Sequence, residues 1–391
     1  MEQLHNHLPA QTAILYSVPG KEPFMVAALA PFEMVGAPAP APVTEDSSYQ
    51  ELVDYLPLRQ SWKTDEDQMV AMTVKAGIEY LDKVDKSAPF FLWLDSFDPH
   101  EPWDPPSIWD PDLKCPYDPD YSGIELINPV ATLTEGYVNE EEARHVRMLY
   151  AEKITMVDKW IGKFIDRLKE LDLYDNSLIV FLSDHGEPLG DGEHGHGIMR
   201  KCRPWPYEEL SHIPLIIKHP EGMKGRVSSF VETVDVAATI MDHVKETTTP
   251  LANLINFANP HGDDGGIQGK SLLPLMRGKV DKVKEFAITG YFNLSWSIVA
   301  EDWTYIHWLD DKEDHDELKK AATVGLQNMV EDENIWTCAP GEKAETPFKD
   351  ELYDRKNDPY QLNNLVDSQP EVAREMLQRL MDYMIELKAE G

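Results

Sequence analysis

From residue 64 onward, the spacing of apolar residues predicts helices that alternate with short apolar strands. Thr64 and Asp67 form a capping box, after which apolar residues recur at helical spacing. A second, longer amphipathic helix is predicted to open at Asn139, with Glu142 in the matching position. Continuous apolar runs of strand length stand between and after these helices: Phe90–Leu94, Leu178–Ser183 and Ile213–Ile217. Such runs suit strands buried on both faces, so we predict an α/β fold with a doubly wound, mostly parallel sheet.

The pattern changes near residue 284, where short β-like segments replace the alternation of helix and strand. A helix around Val231–Val244 precedes the change, and an amphipathic helix over Pro370–Leu387 closes the chain. The short segments between them are Phe286–Thr289, Trp296–Ala300 and Trp303–Trp308. We therefore predict a poorly defined segment over 1–63, an α/β domain over 64–284 and a smaller antiparallel α+β subdomain over 285–391.

Charge and apolar content exclude several classes of protein. The 391 residues carry 36 basic and 70 acidic side chains, a formal charge of −34. Phosphate backbones and anionic lipid headgroups would repel such a chain, so we expect neither nucleic acid nor membrane as a partner. The apolar run Phe24–Phe32 is interrupted by Pro31 and is too short to span a bilayer. Residues 1–20 show no signal peptide, which predicts a soluble, cytoplasmic protein for the chain as written.

Candidate chemistry lies after two of the predicted strands, where ligands bind in open parallel sheets. Asp184 and His185 follow the second strand directly, and such an oxygen and nitrogen pair suits a divalent ion. Local capping and packing of the same two residues is the structural alternative.

Three further residues near these strand ends have both a functional and a structural interpretation. Lys201 could neutralise an anionic ester, or be a solvated surface group. His100, which follows the first strand, could protonate a leaving group or hold its own loop. His196, in a loop with His194, either touches the metal or substrate or is simply solvated.

Five segments, in order, resemble the sulfatase family of the alkaline-phosphatase-like superfamily. They run from about Thr64 to the C-terminus, and a match of all five in order is specific. The segments are Phe90–Trp103 with its histidine loop, Ile179–Gly190 followed by Lys201 and Tyr207–Lys218, Val234–Ile240, Gly269–Leu275 and Glu351–Leu365.

This resemblance implies hydrolysis of a small-molecule or glycan sulfate ester at a divalent-metal site. Asp184 and His185 would bind the metal, while His100 and Lys201 would hold the sulfate and assist departure of the alcohol, with His196 in the substrate site. Calcium is the expected metal. Manganese is the alternative, because the Asp-His form also occurs among phosphonate- and phosphodiester-cleaving relatives.

The family's nucleophile motif, Cys/Ser-x-Pro/Ala-x-Arg, is not present before the histidine loop. Residues 1–63 contain neither this motif, which matures to formylglycine, nor the family's pair of metal-binding aspartates. Cys202 and Cys338 each begin a Cys-x-Pro match, but both lack the arginine and lie too far downstream. We therefore expect a sulfatase whose first portion is truncated, encoded elsewhere or lost.

Two alternatives stay open beside the sulfatase hypothesis. One is a phosphodiester or phosphonate monoester hydrolase of the same superfamily, because both reactions use in-line attack on a tetrahedral anion. The other is a non-catalytic remnant that binds an anion or a protein partner, since turnover needs the attacking group. A sheet without its first strands would expose an edge, so self-association is expected unless residues 1–60 cover it.

Overall fold

The computed structural model describes most of the chain between residues 62 and 387. The residues described are 11–16, 24–29, 62–129, 132–135, 137–201, 206–247, 268–291, 295–309, 335–336 and 349–387. Cys202 and Cys338 lie outside them, so the structure does not bear on the Cys-x-Pro matches.

The described residues form seven α-helices, numbered in chain order. In that order, α1 to α7 are Met69–Lys83, Pro106–Trp109, Glu140–Glu170, Glu208–Ser211, Thr233–Thr247, Leu273–Met276 and Pro370–Glu386. The capping box of Thr64 and Asp67 is present, but it starts a 3-10 turn over Asp65–Asp67 rather than α1 itself. None of these helices is both long and apolar enough to cross a membrane.

Thirteen strands, most of them short, accompany the described helices. In chain order, β1 to β13 are Gln11–Tyr16, Phe24–Leu29, Phe90–Asp95, Glu125–Leu126, Thr132–Leu133, Ile179–Leu182, Ile198–Met199, Leu215–Lys218, Phe286–Tyr291, Ser295–Ala300, Trp303–Trp308, Ile335–Trp336 and Glu351–Asp354. The predicted strands after residue 64 are thus confirmed to within a few residues at each end.

The strands that position the candidate site belong to two small sheets. In the first, β1 lies between β2 and β3 and pairs in parallel with β3. In the second, β6 pairs with β8, and this pair is antiparallel. Both β3 and β6 end just before the polar segments that the sequence singled out.

Two strands in the N-terminal segment were not predicted. Because β1 adds to the edge of β3, residues 11–16 are part of the α/β sheet and cover an edge that would otherwise be open. The apolar run Phe24–Phe32, which was considered only as a membrane span, supplies β2.

The long helix α3 organises the core of the α/β region. It packs against α1 through a cluster of apolar side chains: Val70, Ala71, Val74, Met156, Val157 and Trp160. Burial of such side chains is the main force that holds the helices beneath the strand ends. Near the start of α3, Arg144 and His145 pair with Asp118 in the long loop between β3 and β5.

The C-terminal region forms the predicted antiparallel subdomain. Its four-stranded sheet has the order β13-β11-β10-β9, with every pair antiparallel. Helix α7 packs on this sheet through Ala373, Met376 and Leu380, which are all buried. The prediction of a small antiparallel α+β unit after residue 285 is confirmed.

Candidate anion and metal site

Asp184 and His185 lie together where β6 ends. The Asp184 side chain is 89% exposed and that of His185 is 32% exposed. Asp184 Oδ2 is 3.8 Å from His185 Nε2. The Asp184 carboxylate also accepts a hydrogen bond from the His185 backbone N–H, at 3.0 Å. The predicted pair is therefore accessible, and its two donor atoms face the same space.

The backbone sets the orientation of the His185 ring. Its Nδ1 lies 2.6 Å from the Gly186 carbonyl oxygen, which can only accept, so Nδ1 carries the proton. That tautomer leaves a lone pair on Nε2, which lies 3.1 Å from the Lys201 Nζ. An imidazole held through Nδ1, with the Nε2 lone pair directed into the site, is the arrangement found in metal-binding histidines. In this structure Lys201 is the group that meets that lone pair.

Gly186 is required by the close packing of this turn against α4. Its N–H donates to the Leu210 carbonyl at 2.6 Å. A Cβ at this position would lie 2.2 Å from the Glu209 carbonyl oxygen, a distance that no side chain could adopt. The segment Asp184-His185-Gly186 is thus held in place by α4.

Lys201 reaches the same space from the loop that follows β7. Its backbone N–H donates to Glu187 Oε1 at 2.9 Å. Burial, followed by the negative charge of Glu101, raises the pKa of Glu187 to about 8, although Lys201 and Arg200 act in the opposite direction. Glu187 is therefore mostly protonated at pH 7, and it anchors the Lys201 backbone without cancelling the charge of the ammonium group.

His100 lies in the loop after β3, and its ring is held through Nδ1. That atom is 2.6 Å from the Glu101 carbonyl oxygen, and the ring stacks on Phe97 with centroids 4.1 Å apart. Burial lowers the pKa of His100; Glu101 opposes this shift, whereas Lys201 and Arg200 add to it. His100 is close enough to Lys201 for the two to interact electrostatically, and its Nε2 is left available to a ligand.

A buried ion pair joins the loops that carry His100 and Lys201. The Arg200 guanidinium donates to the Glu101 carboxylate, and the two side chains are 15% and 2% exposed. Burial alone would raise the pKa of Glu101, but Arg200, His100 and Lys201 together lower it. Glu101 is thus ionised between its cationic neighbours.

A comparison with protein families identifies the family to which the chain belongs. The family model for sulfatases matches residues 39–246, which is more than half of the chain. The chain belongs to the sulfatase family.

Curated relatives are similar to this chain over most of its length. An arylsulfatase of Clostridium perfringens is 27% identical over 339 residues, which cover 81% of this chain and 58% of the relative. An endo-4-O-sulfatase of Bacteroides thetaiotaomicron is 28% identical over 311 residues, covering 77% and 52%. The chain therefore spans little more than half the length of these relatives.

A solved structure shares the fold of this chain. The phosphonate monoester hydrolase of Agrobacterium radiobacter superposes with a TM-score of 0.55 at 19% identity, covering 82% of this chain and 61% of its own. The predicted alkaline-phosphatase-like α/β fold is thus confirmed.

The described residues of this chain supply only part of a metal site. Two ligands about 2.3 Å from one ion lie at most about 4.6 Å apart, so the 3.8 Å separation of Asp184 and His185 fits a shared ion. Burial and the negative charge of Asp184 raise the pKa of nearby Asp95, at the end of β3. Within the described part of the chain, however, no group of three or more acidic, histidine or cysteine side chains could hold an ion. The donor set suits a divalent ion but needs ligands from elsewhere.

A buried lysine anchors the His100 loop to the helices beneath it. Lys153, in α3, lies 2.9 Å from both Asp98 and Asp104, and all three side chains are at most 1% exposed. Asp98 also accepts from the Val70 N–H in the first turn of α1, at 2.7 Å. These contacts fix the loop on either side of His100.

His196 is not placed in this cluster. Its Nδ1 lies 3.2 Å from Glu209 Oε2 and its Nε2 lies 2.7 Å from the Gln361 carbonyl. Its ring also stacks on Tyr207, with centroids 3.4 Å apart. Nδ1 thus ties the loop to α4 and Nε2 ties it to the C-terminal subdomain, which supports a structural role.

Four residues that define the site were missed by the sequence reasoning: Glu101, Glu187, Arg200 and Lys153. Glu101 and Arg200 adjoin predicted residues, so their position beside a strand end was a usable signal. Lys153 interrupts the apolar stripe of α3, which indicates a buried polar contact, but the sequence does not show which residues pair with it.

Proposed function

We propose that this protein is a sulfuric ester hydrolase whose site binds the sulfate group between His100, Lys201 and a divalent ion held by Asp184 and His185. The observation that supports it most is the meeting of Lys201 Nζ with His185 Nε2, 3.1 Å apart at the end of β6. A cation and a candidate metal ligand that face one accessible space suit a tetrahedral anion.

In this proposal each residue of the chain has a separate task. Lys201 binds the sulfate oxygens and stabilises the charge that develops on them. The free Nε2 of His100 passes a proton to the departing oxygen once the ring is protonated. Asp184 and His185 hold calcium or, as the alternative, manganese, which when bound would withdraw electron density from the sulfate.

The attack on sulfur is assigned to no residue of this chain. The Cys/Ser-x-Pro/Ala-x-Arg motif does not precede the His100 loop, and formylglycine is therefore not encoded there. The proposed substrate class, a small-molecule or glycan sulfate ester, is supported by relatives named arylsulfatase and endo-4-O-sulfatase.

Hydrolysis of nitrophenyl sulfate in the presence of calcium or manganese tests the proposal. Lys201→Met should lower kcat/KM for nitrophenyl sulfate by at least about 100-fold, because it removes a charge that stabilises the transition state. His100→Gln should do the same for an alkyl or sugar sulfate, whose departing oxygen needs a proton, and should have a much smaller effect on nitrophenyl sulfate. Lys224→Met and His212→Gln are matched controls, since His212 is 78% exposed and Lys224 lies on an exposed turn. Equal loss in the test and control variants would contradict the assignment.

A phosphonate monoester hydrolase is the second candidate function. It is favoured by the Asp184–His185 pair, because a mixed oxygen and nitrogen site suits manganese as well as calcium. A nitrophenyl phosphonate ester assayed beside the sulfate ester separates the two, and faster phosphonate turnover would overturn the sulfatase assignment. Binding of inorganic sulfate without hydrolysis of either ester would support the non-catalytic alternative.

A further inference from the structure

The loops that carry His100 and Lys201 are joined through their immediate neighbours. Glu101 follows His100 and Arg200 precedes Lys201, although 99 residues separate the members of the ion pair. Any movement of Glu101 relative to Arg200 would therefore be passed directly to the two residues proposed to hold the anion.

Arg200 is fixed by more than this one contact. Its Nη1 donates to Asn128 Oδ1 at 3.1 Å and to the Pro129 carbonyl at 2.9 Å. Its backbone adopts a φ of +64°, a conformation that non-glycine residues keep only where the surroundings impose it. The Arg200 N–H donates to the Pro188 carbonyl at 2.8 Å, which completes that restraint.

Glu101 in turn controls the His100 ring from two directions. Its carbonyl oxygen accepts from His100 Nδ1, and its Oε2 lies 3.3 Å from the same nitrogen. Both oxygens favour the tautomer with the proton on Nδ1, which leaves Nε2 as the atom that faces the anion.

We propose that the Glu101–Arg200 pair is a positioning clamp, which keeps His100 in its Nδ1-protonated tautomer and holds its ring at a fixed separation from Lys201. This inference rests on the proposed function for its importance in catalysis. A buried ion pair is weak evidence for stability, because apolar residues of similar size often stabilise as well. The ion pair instead aligns two segments of the chain. The guanidinium of Arg200 bonds to Glu101 and to the 128–129 segment at the same time, whereas a lysine has a single ammonium group.

The tautomer of His100, read from the ring nitrogen chemical shifts of the ¹⁵N-labelled protein, tests the clamp without requiring activity. Wild type should show His100 protonated on Nδ1 when neutral. Arg200→Met should shift the ring toward a mixture of tautomers, and Arg200→Lys should do so to a smaller extent. Arg277→Lys is the matched control, because Arg277, like Arg200, donates to more than one acceptor, but its acceptors are the exposed carboxylates of Glu221 and Glu246. It should leave the His100 shifts unchanged.

Activity measurements separate the clamp from the proposed function. With an alkyl or sugar sulfate, whose leaving group needs the His100 proton, the Arg200 variants should lower kcat at least tenfold and change KM less than twofold. If Arg200→Met does not fold, Arg200→Lys decides. A His100 tautomer that is unchanged in a folded Arg200 variant overturns the clamp, even if wild type hydrolyses the ester. If wild type does not hydrolyse the ester but the Arg200 variants still shift the His100 tautomer, the clamp is supported and the proposed function is not.

Discussion

The two halves of the proposed site differ in how the chain holds them. The proposed anion side consists of His100, Glu101, Arg200 and Lys201. The proposed metal side consists of Asp184 and His185, with Asp95 nearby. On the anion side, Glu101 is 2% exposed and is paired with Arg200. On the metal side, Asp184 is 89% exposed, and the described residues do not complete an ion site. The anion side is thus preorganised by contacts within the chain, whereas the geometry of the metal side depends on further ligands.

The difference suggests which side tolerates change. Removal of one member of a preorganised, buried ion pair costs much of the unfolding free energy, because the charge left behind stays buried without a partner. Exposed ligands are held by few contacts, so their replacement changes ion affinity and leaves folding almost unaffected. The predictions below test that contrast.

Breaking the support beneath the anion side should have the largest effect on stability. Lys153→Met leaves Asp98 and Asp104 buried without their cation, which should cost about 3–5 kcal/mol of unfolding free energy. Lys159→Met, on the same helix, is the control: its pair with Asp65 has a lysine that is 55% exposed, and should cost no more than about 1 kcal/mol. Urea unfolding measures both, and equal losses would show that the Lys153 cluster is not a buried network.

Replacing the ligands on the metal side should change ion binding rather than stability. Mutation of a residue that only orients a metal ligand typically lowers metal affinity by roughly 10–100-fold. Loss of a ligand itself should cost more, so Asp184→Ala or His185→Ala should weaken calcium or manganese binding at least about 100-fold. Calorimetry measures this affinity, with His194→Ala as control because His194 forms a comparable exposed pair with Asp191. Unchanged affinity in both ligand variants would make the metal assignment wrong.

The pH dependence should reveal the charge of His100. Because burial lowers its pKa, the protonated ring that a leaving group needs is lost as pH rises through a value below the usual 6.5. Hydrolysis of an alkyl or sugar sulfate should therefore fall about tenfold per pH unit above that pKa. Nitrophenyl sulfate, whose leaving group needs little protonation, should show a much flatter pH profile. Identical profiles for the two esters would argue against His100 as the proton donor.

Replacement of His196 should have the smallest effect on the chemistry. His196→Gln loses a hydrogen bond to Glu209 or Gln361, which should cost about 1–2 kcal/mol of stability. The kcat/KM for nitrophenyl sulfate should stay within twofold of wild type. A large fall in kcat/KM without a change in melting temperature would place His196 in the substrate site after all.

The regular parts of the fold were predictable because their patterns are local. The apolar stripe and the Asn139–Glu142 capping box define where α3 begins, and the structure has both. Strands β1 and β2 were not predicted because they lie in a segment without a sustained apolar period, although they pair with each other. The parallel pairing of β1 with the distant strand β3 places them in the sheet. Local pattern gives no information about such pairing.

The candidate site was predictable only where it adjoins a strand end. Asp184 and His185 could be proposed because they directly follow an apolar run, and His100 for the same reason. The Glu101–Arg200 contact joins residues that are 99 positions apart, and Lys153 reaches Asp98 across a helix packing surface. Contacts of this kind are set by tertiary packing and have no local sequence pattern.

Binding of inorganic sulfate in the presence of calcium is the most direct test of the central claim, that an oxyanion sits between Lys201 and the end of β6. Calorimetry should give an affinity for wild type that falls at least tenfold in Lys201→Met and less than twofold in Lys224→Met. Equal sulfate affinity in wild type and Lys201→Met would contradict the account.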